Sequence, residues 1–294
     1  DVIWVLDDWR LAEDASISDD FGNAHDLSHA GRLGNTVTIN GRVPEIFEVA
    51  SGERIRLRLI NAANARIFAL DFGDHTPRII ALDGQPVTPH NPSDGLVVLG
   101  PAMRVDVILD CNGEPSARSQ LVDRAYRGND FRVLDFTYAE TALREATPDW
   151  PIALPASPIA EPDLSSAQRH EVTFTGGMMG MMHDGRGIWF VNGKAAEGHV
   201  LDPFLTLKRD ASHILEMTNA TAFDHPIHLH GHSFRVISRN GAPTPHREWQ
   251  DTVLMAPRER VEIAFVADNP GDWMFHCHIL EHQAAGMMGL ILVA

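Results

Sequence analysis

Matching motifs recur along the chain at a nearly constant spacing. Three pairs of positions share an offset of 152, 157 or 156 residues: Asn40 with Asn192, Asp83 with Asn240, and Pro101 with Pro257. An offset of this size indicates a duplicated domain, since solenoid repeats are far shorter. A length of 294 residues also suits about two domains. The sequence therefore predicts two similar domains in tandem.

Both copies carry the signals of short β-strands joined by turns. Asn40-Gly41, Ser51-Gly52 and Asp83-Gly84 are hairpin signals, and residues 54–59 alternate charged and aliphatic side chains as a half-exposed strand does. The predicted class is all-β, with each copy a Greek-key β-sandwich. Residues 147–168 contain five prolines and show no periodicity, which predicts an extended linker. The predicted domains are 1–146 and 169–294.

The C-terminal stretch Cys277-His278-Ile279-Leu280-Glu281-His282-Gln283-Ala284-Ala285-Gly286-Met287 has the composition of a metal-binding loop. Cys277, His282 and Met287 follow one another at spacings of five and five. Two imidazoles, a thiolate and a weakly held thioether are the ligand set of a type 1 (blue) copper. Three of those four ligands are therefore present in one loop.

Strand alternation divides the remaining histidines between two sites. If residues 275–279 form a strand, His276 and His278 point to one side and Cys277 to the other. In the stretch 225–230, His228 and His230 share a face and His225 lies on the opposite one. Pairing the faces puts His225 with Cys277, His282 and Met287, and puts His228 and His230 with His276 and His278. Cys277 with its two neighbours then forms a short electron path between the two sites.

These two stretches resemble a known family. HPIHLHG at residues 225–231 and HCHILEHQAAGMM at residues 276–288 are similar to the C-terminal copper motifs of the multicopper oxidases, such as laccases and bacterial copper-resistance oxidases. The resemblance implies that His225, Cys277, His282 and Met287 bind a type 1 copper, that His228 binds the type 2 copper, and that His230, His276 and His278 bind the type 3 pair. It also implies cupredoxin domains, here the second and third of a three-domain enzyme.

An ordinary structural role is the alternative for any single histidine. Eight metal-type residues in two matching patterns are poorly explained by packing. His232 is the exception, because it has no matching role in the family, and we interpret it as a packing group or a support beside the site. The first copy has no imidazole or thiol at residues 65–72 and is interpreted as a metal-free scaffold. Its histidines are scattered and are interpreted as surface groups or outer supports: His25, His29, His75 and His90.

The copper cluster implied by the resemblance is incomplete in these residues. In the family, eight histidines hold three coppers, and four of the right kind occur here: His228, His230, His276 and His278. No His-x-His pair precedes residue 228. We therefore expect a fragment that lacks the first domain, in which the type 1 site can assemble while the oxygen site needs another part. The start at Asp1, within a strand-like pattern, also suggests that an upstream segment has been removed.

Composition excludes several other classes. A formal charge of −16 disfavours nucleic acid as a partner, because the long-range field repels a polyanion. No run of eighteen apolar residues is present, so no membrane span is expected. With Cys277 assigned to copper, Cys111 has no partner for a disulfide and is expected to be a small buried or edge residue. The family resemblance implies a periplasmic or extracellular location.

The predicted function is oxidation of a phenolic, organic or Cu(I) reductant, one electron at a time, coupled to reduction of O2 to water. A non-enzymatic electron-transfer module that uses only the type 1 site is the alternative, and a copper nitrite reductase is a third. Residues 176–183 carry Met178, Met179, Met181 and Met182 among glycines, and thioethers favour Cu(I). Against a cuprous substrate, residues 221–224 and Gln283 depart from the cuprous oxidases of the family.

Overall fold

The computed structural model describes residues 1–178, 187–196 and 202–294. The chain divides into two compact units, neither of which is continuous in sequence. Unit 1 comprises residues 1–15, 34–63 and 67–156, and unit 2 comprises residues 16–33, 64–66 and 157–294. Two short pieces from the N-terminal half therefore belong to the unit that carries the predicted metal ligands.

Unit 1 is built from two β-sheets. Its strands are β1 (Val2–Trp9), β2 (Thr36–Ile39), β3 (Ile46–Val49), β4 (Glu53–Asn61), β5 (Phe68–Asp71), β6 (Arg78–Leu82), β7 (Gln85–His90), β8 (Leu96–Leu99), β9 (Arg104–Cys111), β10 (Arg118–Asp123) and β11 (Phe131–Tyr138), with a 3-10 turn at Ser93–Gly95. One sheet has the strand order β2-β1-β4-β9-β6-β7 and the other β3-β11-β10-β5-β8. Cys111 is fully buried at the end of β9, and burial raises the pKa of its thiol to about 12.

Unit 2 has the same arrangement of strands. They are β12 (Gln168–Gly176), β13 (Trp189–Val191), β14 (Leu205–Leu207), β15 (Ser212–Asn219), β16 (His225–Leu229), β17 (Phe234–Arg239), β18 (Ala242–Pro243), β19 (Trp249–Gln250), β20 (Thr252–Met255), β21 (Arg260–Val266), β22 (Gly271–Cys277) and β23 (Met288–Val293). The helices are α1 (Ala24–Ser28) and α2 (Leu280–Ala284). One sheet runs β13-β12-β15-β21-β17-β18, with β19 beside β17, and the other runs β14-β23-β22-β16-β20.

The duplicated motifs occupy equivalent turns in the two units. Asn40 and Asn192 both have a positive φ, 53° and 50°, and each is followed by a glycine at 74°. A side-chain oxygen of each accepts a hydrogen bond from a neighbouring strand, from Val5 N in unit 1 and Thr173 N in unit 2. Asn and Gly tolerate this left-handed conformation, which explains why both turns use the same dipeptide.

The core of unit 2 lies between its two sheets. Phe174 and Val236 from the first sheet belong to one buried apolar cluster with Ile227 and Phe275 from the second. Burial of such side chains is the main stabilising contribution to a sandwich of this kind. The predicted all-β, cupredoxin-like fold is confirmed. In the described part of the chain, no helix has the length and apolar character needed to cross a bilayer.

Candidate metal centre

Two neighbouring strands carry most of the predicted ligands. Strands β16 and β22 pair antiparallel, so that His228 faces His276 and Ile227 faces Cys277 across the ladder. Side chains alternate along both strands. Cys277 and Ile227 point into the core of unit 2, whereas His228 and His276 lie on the opposite face. One pair of strands thus presents a sulfur on one side and imidazoles on the other.

The sulfur side forms a compact group, here called the sulfur site and defined by His225, Cys277, His282 and Met287. The Cys277 Sγ atom lies 3.5 Å from Nδ1 of His225 and 3.6 Å from Nδ1 of His282, and the two Nδ1 atoms are 3.1 Å apart. All four side chains are fully buried. Within the described residues, His225, Cys277 and His282 are the only group of three or more possible ligands whose donor atoms converge this closely.

The loop after β22 brings Met287 and His282 to the same place. Helix α2 carries His282, and Met287 N donates to the carbonyl of His282 at 2.9 Å. Cys277 N in turn donates to the carbonyl of Met287 at 3.1 Å. Met287 belongs to the same buried cluster as Cys277. The main chain therefore ties the three C-terminal members of the sulfur site together.

Hydrogen bonds at the far side of each ring define which nitrogen carries the proton. His282 Nε2 lies 2.6 Å from the carbonyl oxygen of His29, which can only accept. His225 Nε2 lies 2.8 Å from the hydroxyl of Thr221, and that hydroxyl donates to Asn219 Oδ1 at 2.8 Å. Both rings thus donate through Nε2. Their Nδ1 atoms are left with lone pairs directed at each other and at the sulfur of Cys277.

This donor set fits a bound copper ion. Two imidazole lone pairs 3.1 Å apart share at most one thiol hydrogen, so a buried acceptor is left without a donor unless a cation lies among them. Two imidazoles, a cysteine and a nearby methionine match the donors of a type 1 copper. The residues present therefore suit the metal that the sequence motifs imply.

Burial favours the uncharged forms of the imidazoles and the thiol in the sulfur site. It lowers the pKa of His282 to about 4 and, helped by the neighbouring imidazole, holds the pKa of His225 well below its usual value. Burial also raises the pKa of the Cys277 thiol. The imidazoles are neutral and ready to bind a cation at neutral pH, whereas the thiol has to lose a proton when the metal binds.

Four rings on the opposite face form a second group, here called the imidazole site: His228, His230, His276 and His278. Ring centroids of neighbouring members lie between 4.7 and 6.0 Å apart, and Nε2 of His230 is 3.0 Å from Nε2 of His276. Burial lowers the pKa of His276 to about 4. In the part of the chain that the structure describes, Nδ1 of His278 is buried without a hydrogen-bond partner.

Main-chain carbonyls orient two of these rings. His228 Nδ1 lies 2.8 Å from the carbonyl of Asp251, and His276 Nδ1 lies 2.9 Å from the carbonyl of Cys277. Since a carbonyl only accepts, both rings donate through Nδ1 and leave Nε2 available as a ligand. His276 is also hydrogen-bonded to the residue whose sulfur belongs to the other site. The two groups are therefore joined by one peptide unit and by this hydrogen bond.

Other histidines lie outside both groups. His232 is buried against Phe265 and Trp273, with ring centroids 5.3 and 5.9 Å away, which agrees with a packing role. His75 was expected at a surface or beside a site, but it is buried in unit 1, 2.8 Å from the hydroxyl of Tyr138. His25 is largely exposed, and its ring stacks on that of His29 at 4.2 Å.

Sequence reasoning missed three groups that contact the ligand rings. They are the hydroxyl of Thr221, the carbonyl of His29, and Trp189, whose ring centroid lies 4.2 Å from that of His282. The sequence signals for two of these groups were a threonine four residues before His225 and a tryptophan two residues after Gly187. Of the methionine-rich stretch, Met178 is exposed, whereas Met179, Met181 and Met182 lie outside the described residues.

Known families and relatives match both halves of the chain. Two family models, both described as multicopper oxidase, match residues 1–129 and 165–294. Multicopper oxidase MmcO of Mycobacterium tuberculosis is 31% identical over 264 residues, which cover 85% of this chain and 49% of that protein. A laccase of Haloferax volcanii is 30% identical over 311 residues, covering 95% of this chain and 50% of the laccase. The chain thus spans about half the length of these curated relatives.

Among solved structures, a multicopper oxidase from Pseudomonas thermotolerans superposes on the whole chain with a TM-score of 0.86 and 32% sequence identity. The match covers 68% of that protein. Both sheets of each unit therefore have counterparts in a solved fold.

Proposed function

The chain belongs to the multicopper oxidase family, and we propose that it forms part of an oxidoreductase. In this proposal a reductant gives up single electrons at the sulfur site, and O2 is reduced to water at the imidazole site. His225, Cys277, His282 and Met287 hold a type 1 copper. His228 holds the type 2 copper, and the type 3 pair is held by His230, His276 and His278.

The observation that carries the proposal is the arrangement of donors on β22. Cys277 contributes its sulfur to one site while its neighbours His276 and His278 contribute rings to the other. An electron carrier that uses only the sulfur site would have no need for imidazoles on both flanks of its cysteine. The arrangement therefore favours an enzyme over a simple electron-transfer module, and it also disfavours a nitrite reductase, where one flanking histidine is expected.

Copper supplies one-electron transfer at the sulfur site and, as a three-ion cluster, the four-electron chemistry of O2 at the imidazole site. The residues of this chain orient the imidazole rings, exclude water and provide a path for the electron. His225 and His282 donate through Nε2 to fixed acceptors, so their Nδ1 lone pairs face the metal position. Burial excludes water from the sulfur site. His276 and Cys277 provide the route along which an electron leaves it.

The imidazole site proposed here needs more histidines than the described residues bring to it. Four rings meet on the outer face of β16 and β22, whereas the family's cluster uses eight. We propose that the remaining ligands come from outside these 294 residues, as from a further cupredoxin domain. Nδ1 of His278, buried without a partner in the described part of the chain, is one group that such a completion would satisfy.

The same proposal includes the reductant, the exclusion of nucleic acid as a partner and the location of the protein. The reductant is a phenolic or organic molecule or a Cu(I) ion, and the exposed thioether of Met178 is a soft ligand that suits the second choice. A formal charge of −16 disfavours nucleic acid as a partner, because a polyanion is repelled. The resemblance to the family favours a periplasmic or extracellular location.

Copper content and oxygen consumption test the proposal. The chain should bind copper at the sulfur site and show the intense visible absorption of a copper–thiolate bond, yet consume no O2 with ascorbate or a phenol as reductant. Joined to a cupredoxin domain that supplies two His-x-His pairs, it should gain three coppers and O2 reduction. Full O2 reduction by the chain alone, or absence of the copper–thiolate absorption, would contradict the proposal.

A further inference from the structure

Residues 23–33, here called the α1 segment, reach both a ligand ring and the indole beside it through main-chain carbonyls. The carbonyl of His29 accepts the Nε2 hydrogen of His282 at 2.6 Å. The carbonyl of Leu27 accepts the Nε1 hydrogen of Trp189 at 2.7 Å. The α1 segment belongs to unit 2, although it precedes Trp189 and His282 by more than 150 residues in sequence. Two carbonyls that are two residues apart in the chain thus anchor His282 and the indole that packs on it.

Trp189 packs on both imidazole ligands of that site. Its ring centroid lies 4.2 Å from that of His282 and 5.1 Å from that of His225, and the side chain is fully buried. Its main-chain N donates to the carbonyl of Ala285 at 3.1 Å. A Cβ on Gly286 would come within 2.4 Å of the carbonyl oxygen of Trp189. The indole is therefore fixed against the loop that carries His282 and Met287.

The α1 segment is itself held against this loop. Gly31 has a φ of +84°, and a Cβ there would lie 2.6 Å from both Ala65 Cβ and Ile279 Cγ2. At the other end, the side chain of Asn23 caps α1 by accepting the main-chain hydrogen of Asp26 at 2.9 Å. The close approach at Gly31 places the carbonyl of His29 over His282. Any side chain at position 31 has to push the segment away.

We propose that Trp189 and the α1 segment are positioning elements for the metal of the sulfur site. They fix the planes of the two imidazoles and keep water from their edges, and in this way they set the reduction potential and the copper–thiolate spectrum. Outer groups that hydrogen-bond to metal-binding histidines are known to affect affinity and potential in this manner. The inference rests on the proposed function, since it assumes that copper binds there.

A pair of glycine variants tests the α1 segment. Gly31→Ala introduces a Cβ into the contact with Ala65 and Ile279, whereas Gly22→Ala places one in open space immediately before the segment, at a similar φ of +69°. Both variants share the cost of a left-handed alanine. Only Gly31→Ala should shift the copper–thiolate absorption and the midpoint potential, and it should weaken copper binding on the order of 10- to 100-fold.

A pair of tryptophan variants tests the indole. Trp189→Phe removes the hydrogen bond to Leu27 and part of the ring that covers His225 and His282. Trp249→Phe is the same substitution at a different buried tryptophan of unit 2, whose ring packs on Arg235. Trp189→Phe should lower the midpoint potential, because water admitted beside the rings stabilises the cupric ion, which carries more charge. The spectrum and potential of Trp249→Phe should match those of the unchanged protein.

The outcomes separate this inference from the proposed function. If the unchanged protein shows no copper–thiolate absorption, the proposed function fails and the inference fails with it. If that absorption is present but Gly31→Ala and Trp189→Phe leave it and the midpoint potential unaltered, the inference alone is overturned. Should Gly31→Ala not fold, Asn23→Ala decides in its place, because it loosens α1 without adding an atom. An unaltered potential in that variant and in Trp189→Phe would likewise overturn the inference.

Discussion

His228 and His276 lie directly opposite each other on the paired strands β16 and β22, with ring centroids 5.7 Å apart. A cross-strand pair shares one face of a sheet, so the two rings necessarily line the same site. His276 also donates through Nδ1 to the carbonyl of Cys277. Loss of either ring should therefore remove a proposed ligand from the imidazole site and leave the sulfur of the other site in place.

The first prediction concerns His276. In the chain joined to a cupredoxin domain that supplies two His-x-His pairs, His276→Ala should lose copper from the imidazole site and abolish O2 reduction, while the copper–thiolate absorption persists. Metal analysis and visible spectroscopy measure the two effects. His232→Gln is the matched control, since His232 packs against Phe265 and Trp273. Equal copper loss in both variants would show that the imidazole site has been wrongly delimited.

Cys277→Ser should remove the thiolate ligand with little change in volume. The variant is expected to lose one copper per chain and all of the intense visible absorption, because a serine hydroxyl does not replace a soft thiolate. Cys111→Ser is the control, as Cys111 is also fully buried but lies outside the sulfur site. Persistence of the absorption in Cys277→Ser would contradict the ligand assignment.

Met287→Leu should raise the midpoint potential of the sulfur site. A weak thioether ligand stabilises the cupric form relative to an aliphatic neighbour, so its removal favours the cuprous form. Met287 is fully buried, and exchange of methionine for leucine conserves volume, so the cost in stability should be below about 1.5 kcal/mol. Redox titration followed at the copper–thiolate band gives the potential. An unchanged potential would remove Met287 from the ligand set.

Thr221→Val should destabilise the copper-free protein. The buried Nε2 hydrogen of His225 would lose its acceptor, and an unsatisfied buried group costs roughly 1–3 kcal/mol. Thr221→Ser keeps the hydroxyl and should retain most of the free energy of unfolding. Urea denaturation compares the two variants. Equal stability of Thr221→Val and Thr221→Ser would mean that the hydroxyl does not support His225.

The last prediction concerns pH and unit 1. Burial lowers the pKa of His75 below its ordinary value of 6.5. Below pH 6.5 the unfolded chain therefore binds a proton that the folded chain does not, and stability falls as the pH drops towards the folded pKa. The contribution is fully present above pH 6.5. His75→Gln should reduce the slope of unfolding free energy against pH in this window, as measured by urea denaturation at a series of pH values.

Much of the site could be predicted because strand alternation is a local rule. The split of His228 and His276 from Cys277 follows from a period of two residues, and the turns at Asn40 and Asn192 follow from the conformations those residues tolerate. No comparable rule exists for contacts between distant segments. The hydrogen bond from His282 Nε2 to the carbonyl of His29 joins residues 253 positions apart and depended on the tertiary fold.

The contributions of two residues could not be read from sequence for different reasons. His29 acts through its carbonyl, and every residue has a carbonyl, so its side chain gives no signal. His75 looked like one of several scattered histidines, but Phe136 packs against its ring at 4.6 Å in the core of unit 1. Burial of a polar ring is settled by the hydrogen bonds that tertiary structure offers, here from Tyr138.

The hydrogen bond from His282 Nε2 to the carbonyl of His29 restricts which sequence changes the chain can accept near position 29. A side-chain replacement at position 29 leaves the peptide oxygen in place. Variants at that position should therefore keep the copper–thiolate absorption. Adding or deleting one residue between Asn23 and Gly31 would instead move this oxygen beyond hydrogen-bonding distance of His282 Nε2. Tolerance at position 29 is thus governed by chain length more than by residue identity.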